Sequence, residues 1–537
     1  MDFNHATHRG HHESGDESGP REAIGENTNV EVLGIVAGYN ARPVGRALAG
    51  TKGDGMLLVG ELNRRPRAHF SGIGGTAMVA GARLALEADW EVRGSDNPLY
   101  PPTSEMVRAL GVPVYEGYAA SNLDWGPDVV VVGNVLSRGN PEVEAMLERR
   151  LHYVSFPEWV KDAVLRARRP VVVCGTHGKT TTTALTAYLL DCAGLRPGFL
   201  IGGQPLDFPH SARLGVEDGP FVIEGDEYDS AFFDKRAKFF HYLPDTAVVT
   251  SIEFDHGDIY RDIEEIELAF QRMLRQIPAG GRLLLCADSA RAFQLRRCAH
   301  CRTETYGFAT ESDWMGVMGD TDEKGRALLT VYRDQTEWGR FRAPLAGRHN
   351  LQNALAAIAV AARHGVSART VGDALPEFKG VRRRMEVFLE AGGVTFVDDF
   401  AHHPTAIRET ISAARARWPK RRLRVLFEPR SNTTVTNAFR HDLYDAFRGA
   451  DEVWLGPIHR AESIPEERRL DRVGLVKELR KARVDAFAAH SVDEIVSGVA
   501  AGSESGDVVL ILSNGAFGGI YEKFRSVFHA ANRVPGP

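Results

Sequence analysis

Several things are scarce in this chain. Cysteine occurs 5 times in 537 residues, too sparsely for the disulfide framework of a small secreted protein. No apolar run approaches the roughly 18 residues that a membrane helix needs; a typical one, Val129 to Val132, stops at Gly133. The polar start of the chain lacks the apolar stretch of a signal peptide, so the expectation is a soluble protein of the reducing cytoplasm with no membrane insertion. Basic charge is not in surplus either: 65 Lys and Arg face 71 Asp and Glu, a formal net charge of -6. That balance argues against a nucleic-acid binder, which needs cations to neutralise phosphates. Anionic small molecules must then be held by a few placed groups. No repeat of solenoid period and no heptads are present, which removes solenoid and coiled-coil folds.

What is present is 43% hydrophobic residues in a length that suits about three domains. Residues 1–66 are polar and rich in Gly, His, Ser and Glu, a composition that does not easily offset ordering entropy and reads as a mostly disordered extension. His5, His8, His11 and His12 there suit a flexible tail or a loose metal site, and Val30 to Val36 suits a strand or a mis-assigned start. From His69 onward, apolar segments such as Val129–Val132, Val171–Cys174, Ala247–Thr250 and Val508–Leu512 alternate with amphipathic stretches, the pattern of parallel α/β sheets. Composition shifts at Arg166–Pro170 and Pro376–Arg384 place joints there. The expected units are 67–167, 168–377 and 378–537.

The strongest motif joins the apolar run Val171–Cys174 to Gly175, Thr176, His177, Gly178, Lys179, Thr180 and Thr181, followed by a helical stretch through Leu190. Glycines let backbone N–H groups close on phosphate oxygens, the helix start adds partial positive charge, Lys179 adds a full one, and the Thr180 hydroxyl suits a magnesium ion. Val173 stands where the full Walker spacing has glycine, so the loop is a shortened variant. Magnesium on a triphosphate calls for carboxylates. They follow at strand ends: Glu224, Asp226, Glu227 and Asp229, then Glu253 and Asp255 with His256.

A second glycine turn, Gly72, Gly74 and Gly75 before Thr76 and Ala77, opens a helix, with Ser95 and Asp96 some way downstream. Such a fingerprint seats a diphosphate at a helix N-terminus, or is only a tight strand-to-helix turn. On its own it admits a dinucleotide-dependent oxidoreductase, although hydride transfer consumes no triphosphate. A non-catalytic nucleotide-binding protein is the third class.

Taken together the blocks resemble the Mur ligases, the ATP-dependent amide-forming enzymes of the bacterial cell wall, over His69 to about Lys523. The resemblance rests on the glycine turn, Gly94–Asp96, Tyr100–Ser104, Gly133–Pro141, Gly175–Thr182, Glu224–Arg236, Glu253–His256, Gly347–Asn353, Val381–Glu386, Asp398–Thr405, Glu428–Thr433 and Ser513–Gly519. It implies a Rossmann-like first domain, a central P-loop ATPase domain and a Rossmann-like last domain. It implies ATP and Mg2+, with UDP-N-acetylmuramate and an amine as substrates joined through an acyl phosphate. Asp226–Arg236, the Tyr100–Pro102 and Arg138–Pro141 stretches and Glu428–Thr433 look like the branch that joins the tripeptide L-alanyl-γ-D-glutamyl-meso-diaminopimelate rather than the branch that adds L-alanine.

By the same match, Lys179 contacts ATP phosphates, Thr180 and Glu224 bind magnesium, and His256 binds a second magnesium. Arg384 reaches phosphate, and Asp399 reaches the ribose or makes a bridging contact. His349, Asn350 and Asn353 serve the adenine and phosphate side. Gly72, Gly74, Gly75, Thr76, Ser95, Asp96, Asn134, Ser137 and Arg138 serve the UDP-sugar. His402, His403, Asn432 and Arg430 serve the peptide, Arg430 through a bidentate fork on a carboxylate unless it is an ordinary surface arginine.

Departures from the family pattern are Ser251 for Asn, Gly225 for Ala and Ala516 for Gly, none of which removes a charge or a metal ligand. Several relatives carry a carbamylated lysine on the helix after the metal-binding histidine. Here that stretch offers Phe270 and no lysine, so none is expected. Cys298 and Cys301 form a CxxC with no second ligand pair, which points away from structural zinc; Cys174 reads as core.

Overall fold

The structure is a computed structural model that describes residues 64–100, 103–323, 325–344 and 347–531. The histidines at 5, 8, 11 and 12, the Val30–Val36 patch and Pro101 and Pro102 lie outside the described residues.

Three large sheets follow one another along the chain. The first is all parallel, with strands Val114–Glu116, Glu91–Asp96, Arg67–Ser71, Val129–Val132 and Tyr153–Ser155 in that spatial order. The helix Thr76–Glu87 buries Met78, Val79, Ala82, Leu84 and Ala85, the stripe expected of an amphipathic helix on a sheet. Phe70 meets Trp159 edge to face at 5.5 Å.

The second sheet has ten strands. Its centre is Arg169–Cys174, paired in parallel with Pro220–Gly225 on one side and Thr246–Val249 on the other. These strands are buried almost throughout, as continuous apolar runs in a covered parallel sheet should be. The helices Lys179–Cys192 and Arg348–Arg363 share a core built from Leu185, Leu189, Leu355 and Ile358. Beyond Arg302–Gly307 the sheet continues with Trp314–Thr321 still parallel and then turns antiparallel through Ala327–Arg333 and Thr336–Ala343.

The third sheet runs Glu386–Ala391, Val394–Asp399, Val508–Leu512, Leu423–Phe427, Glu452–Leu455 and Asp485–Ala488, parallel except for its first, edge strand. Separate apolar clusters cover its two faces. The architecture is the expected one of α/β units on parallel sheets.

The block Asp226–Arg236, read in the sequence as an acidic strand end, continues into a hairpin, Asp229–Ala231 with Asp234–Ala237. Its tip packs on the first unit: the Phe233 ring lies 5.0 Å from Tyr153, and Phe232 packs on the cluster around Leu123 and Val130. Phe270 sits in the core beside Phe239, ring centres 5.2 Å apart. Cys174 is fully buried. Among the described residues, neither group of metal-capable side chains includes a cysteine. No described helix is long and apolar enough to cross a membrane.

Candidate active site

The carboxyl ends of the central strands of the second and third sheets open on a cavity of about 1860 Å³, closed on another side by Thr76 and Phe156 of the first unit. The phosphate loop forms its floor. Gly178 has φ +82° and a Cβ there would lie 2.3 Å from the Asn353 Oδ1, so the backbone needs both the left-handed conformation and the missing side chain. The helix Lys179–Cys192 that follows has no side-chain cap, which leaves its first N–H groups for an anion. Ser251, one of the departures, takes a structural part: its carbonyl accepts from Thr176 N at 2.9 Å and its hydroxyl from His177 N at 3.0 Å.

Lys179 Nζ lies 2.7 and 3.0 Å from the two Glu227 oxygens. Burial works against its charge, but Glu227, Asp226 and Glu224 outweigh it and hold the ammonium above its usual range. The same pairing, with His256, keeps Glu227 below the ordinary carboxylate range despite burial. Glu224 accepts from Gly202 N at 2.7 Å and Thr180 Oγ1 at 3.2 Å; burial outweighs these bonds and raises it. Arg384, from the third unit, donates through Nη2 to Thr180 Oγ1 at 3.3 Å. The structure thus brings Lys179, Thr180, Glu224 and Arg384 together.

His256 belongs to a different group. Its Nε2 is 3.4 Å from Glu227 Oε1, and the ligand atoms of Asp226, Glu227 and His256 lie within 4.8 Å of one another. Two carboxylates and an imidazole suit a hard divalent cation, so the residues fit a magnesium ion here and at Thr180–Glu224. Glu227 was missed as a site residue in the sequence. Its signal was there, in the acidic block, but only the fold shows that it faces both Lys179 and His256.

Asp399, expected at the ribose or in a bridging contact, lines the cavity with its carboxylate engaged by its own unit. Its side chain is 5% exposed, and its oxygens accept from Met385 N and Ala401 N, both at 2.8 Å. A carboxylate so engaged fixes the turn that presents Arg384. His349 and His402 line the cavity and are pushed down to about 4 by burial, His349 further by His177 and Arg384. Asn353 Nδ2 faces Asn350 Oδ1 at 3.4 Å under the phosphate loop. His403, expected at the peptide, lines the cavity with both ring nitrogens engaged: Nδ1 accepts from Thr405 N and Nε2 donates to the Phe254 carbonyl, so it ties the third unit to the middle one.

In the first unit, Gly74 N donates to Asp96 Oδ2 at 2.7 Å and Tyr118 donates to its other oxygen, which braces the glycine turn. Ser95 is turned away from any ligand: fully buried, its hydroxyl donates to Glu142 at 2.6 Å beside His69. Arg138 is held on the surface by both oxygens of Glu144, near partly buried Asn134 and exposed Ser137. Of the expected UDP-sugar residues, Thr76 lines the cavity and the others do not. Arg430 also lies off its wall, 3.2 Å from His459 and 3.5 Å from Glu428, packed across Gly515; Asn432 is exposed beside it.

Such a basin, with a phosphate loop opposite an arginine from another unit, suits phosphoryl transfer between two anions. Comparison with known proteins agrees. The Mur ligase family catalytic domain pattern matches residues 67–168, the Mur ligase middle domain 173–361, and the Mur ligase glutamate ligase domain 383–515. The chain is 41% identical over 460 residues, 85% of its length and 97% of the relative's, to the UDP-N-acetylmuramate--L-alanyl-gamma-D-glutamyl-meso-2,6-diaminoheptandioate ligase of Escherichia coli K12. It is 35% identical over 474 residues, 83% of this chain and 96% of that one, to a UDP-N-acetylmuramate--L-alanine ligase of a Roseiflexus species. A solved murein peptide ligase of Psychrobacter arcticus superposes with TM-score 0.65 at 34% identity, covering 88% of this chain and 99% of the other. The chain belongs to the Mur ligase family, whose members are ATP-dependent ligases that form amide bonds.

Proposed function

We propose that this ligase joins UDP-N-acetylmuramate to L-alanyl-γ-D-glutamyl-meso-diaminopimelate in peptidoglycan recycling, in the cytoplasm. The observation that carries the chemistry is the approach of Arg384 to Thr180 across the cavity. The acceptor is supported by the relative at 41% identity, whose name carries that tripeptide, against 35% for the alanine-adding one. Family membership sets aside the oxidoreductase reading of the glycine turn.

The sugar's lactoyl carboxylate attacks the terminal phosphorus of ATP and ADP leaves; the peptide amine then attacks the acyl carbon, phosphate leaves and the amine loses its proton. Two anions must first meet, so the work is mostly electrostatic and positional. The loop Gly175–Thr181 and its helix hold the phosphates, with Lys179 exchanging Glu227 for phosphate oxygens. His349, Asn350 and Asn353 border the nucleotide, and Arg384 neutralises the phosphoryl group in transit. Magnesium, held by Thr180 and Glu224 and a second time by His256 with Asp226 and Glu227, would supply further positive charge at the phosphoryl oxygens. Gly72, Gly74, Gly75 and Thr76, braced by Asp96, receive the UDP end, and Arg430 with Asn432, outside the cavity wall, serves the peptide. The division of labour follows units 67–167, 168–377 and 378–537.

Phosphate release from ATP is expected to require UDP-N-acetylmuramate and the tripeptide together. Release that proceeds without the sugar nucleotide, or equally well with L-alanine in place of the tripeptide, overturns the assignment.

A further inference from the structure

After the strand Thr246–Val249 the chain brings Glu253, Asp255 and His256 to the cavity wall, and the segment Glu253 to His256 is held from two sides. The middle unit holds the first: Glu253 N donates to Thr176 Oγ1 at 2.9 Å, and the Glu253 carboxylate lies 3.1 Å from His177 Nε2. The third unit holds the next two. His403 Nε2 donates to the Phe254 carbonyl at 3.2 Å, its tautomer set by the Thr405 N–H on Nδ1. The Phe254 ring stacks on Phe439 with centres 6.5 Å apart. Thr433 donates its hydroxyl to Asp255 Oδ1 at 2.8 Å, with both residues buried. His177, Glu253 and His403 also converge where the two units meet.

The fourth residue is strained. His256 has φ +56°, a left-handed conformation unfavourable for a residue with a side chain. Its own N–H donates to Asp255 Oδ1 at 2.8 Å, the same oxygen that Thr433 reaches. In that conformation its imidazole meets Glu227 and the Tyr228 ring, 5.2 Å away edge to face.

We propose that Thr433 is a positioning residue. By docking on Asp255 it couples the seating of the third unit to the left-handed conformation of His256, and so to the assembly of Asp226, Glu227 and His256. Without the hydroxyl, Asp255 is a buried carboxylate short of a donor. It turns toward water, its hold on the His256 N–H loosens, and the backbone relaxes out of the left-handed region. The activating site is then complete only while the unit that serves the acceptor is docked, which would keep the acyl phosphate from forming in an open, wet site. The inference rests on the ligase reading of this site.

The test compares Thr433→Val with Thr433→Ser in the full chain. Thr433→Val is expected to lower kcat by about tenfold or more while leaving the KM for ATP unchanged. In enzyme free of nucleotide and metal, it should also raise deuterium exchange in the peptide spanning residues 253–256. Thr433→Ser should restore both. The proposal is overturned if Thr433→Val keeps wild-type kcat, if kcat falls without a change in exchange at 253–256, or if serine fails to rescue. A wild-type enzyme that forms no amide refutes the ligase reading instead, while the exchange comparison still decides whether Thr433 holds the segment.

Discussion

Asp399→Asn separates two roles for a residue that the family pattern places near ATP. The side chain is 5% exposed, with its oxygens on Met385 N and Ala401 N at 2.8 Å and on Thr410 Oγ1 at 3.4 Å. An asparagine of the same shape keeps one acceptor and sets an NH2 group against one of those N–H donors. One hydrogen bond is lost and a buried donor is left unpaired, at a cost of about 1–3 kcal/mol. In a unit of this size that lowers the melting temperature by roughly 2–4 °C for each kcal/mol. Met385 directly follows Arg384, so loosening its N–H lets the guanidinium drift from Thr180, and a displacement near 1 Å costs about 100-fold in rate. Calorimetry and steady-state kinetics with ATP varied should therefore find a lower melting temperature, a much lower kcat and a nearly constant KM for ATP. A large rise in that KM, with kcat and melting unchanged, would show a direct ribose contact and refute the positioning role.

Arg384→Ala should cut kcat by about 100- to 1000-fold, the usual loss when one donor to developing charge is removed. Its melting temperature should barely move, because the side chain is exposed and makes one hydrogen bond to the loop; kcat near wild type would remove Arg384 from the chemistry. Gly178→Ala puts a Cβ 2.3 Å from Asn353 Oδ1 at φ +82°. The left-handed penalty alone is about 1–2 kcal/mol, so calorimetric titration should show weaker binding of a non-hydrolysable ATP analogue, and unchanged affinity would contradict the loop geometry. Stability should also fall on acidification. His349 and His402 titrate at about 4 in the folded chain against about 6.5 unfolded. The unfolded state takes up protons first, so stability is full above about pH 6.5 and declines toward pH 4. At pH 5.5 each costs about 1.4 kcal/mol, opposed in part by His256, which hydrogen bonding to Glu227 raises in spite of burial. Urea midpoints that do not fall between neutral pH and pH 5.5 would contradict this.

Much of the site was legible because its signals are local. An apolar strand, a glycine turn and a helix are contiguous at Val171–Leu190, and acidic groups announce themselves after apolar runs at Glu224 and at Glu253 and Asp255. What was not legible depends on partners distant in sequence. Ser95 turns inward because Glu142, 47 residues on, waits beneath the sheet. Asp399 is consumed by backbone N–H groups that no motif encodes. The Asp229–Ala237 hairpin shows its purpose only where Phe233 meets Tyr153 of another sheet. Thr433 and Asp255 are 178 residues apart, and neither stands out without the seam between their units. The parallel α/β architecture was readable because continuous buried runs such as Val508–Leu512 have few other uses in a chain without membrane-length segments.

The most direct test of the account is a competition in one vessel: enzyme, ATP, magnesium and UDP-N-acetylmuramate with equal concentrations of the tripeptide and L-alanine, products resolved by mass spectrometry and phosphate counted alongside. UDP-N-acetylmuramyl tripeptide is the expected main product, with one phosphate released per amide formed. A main product carrying L-alanine alone, or phosphate released without amide, would contradict it.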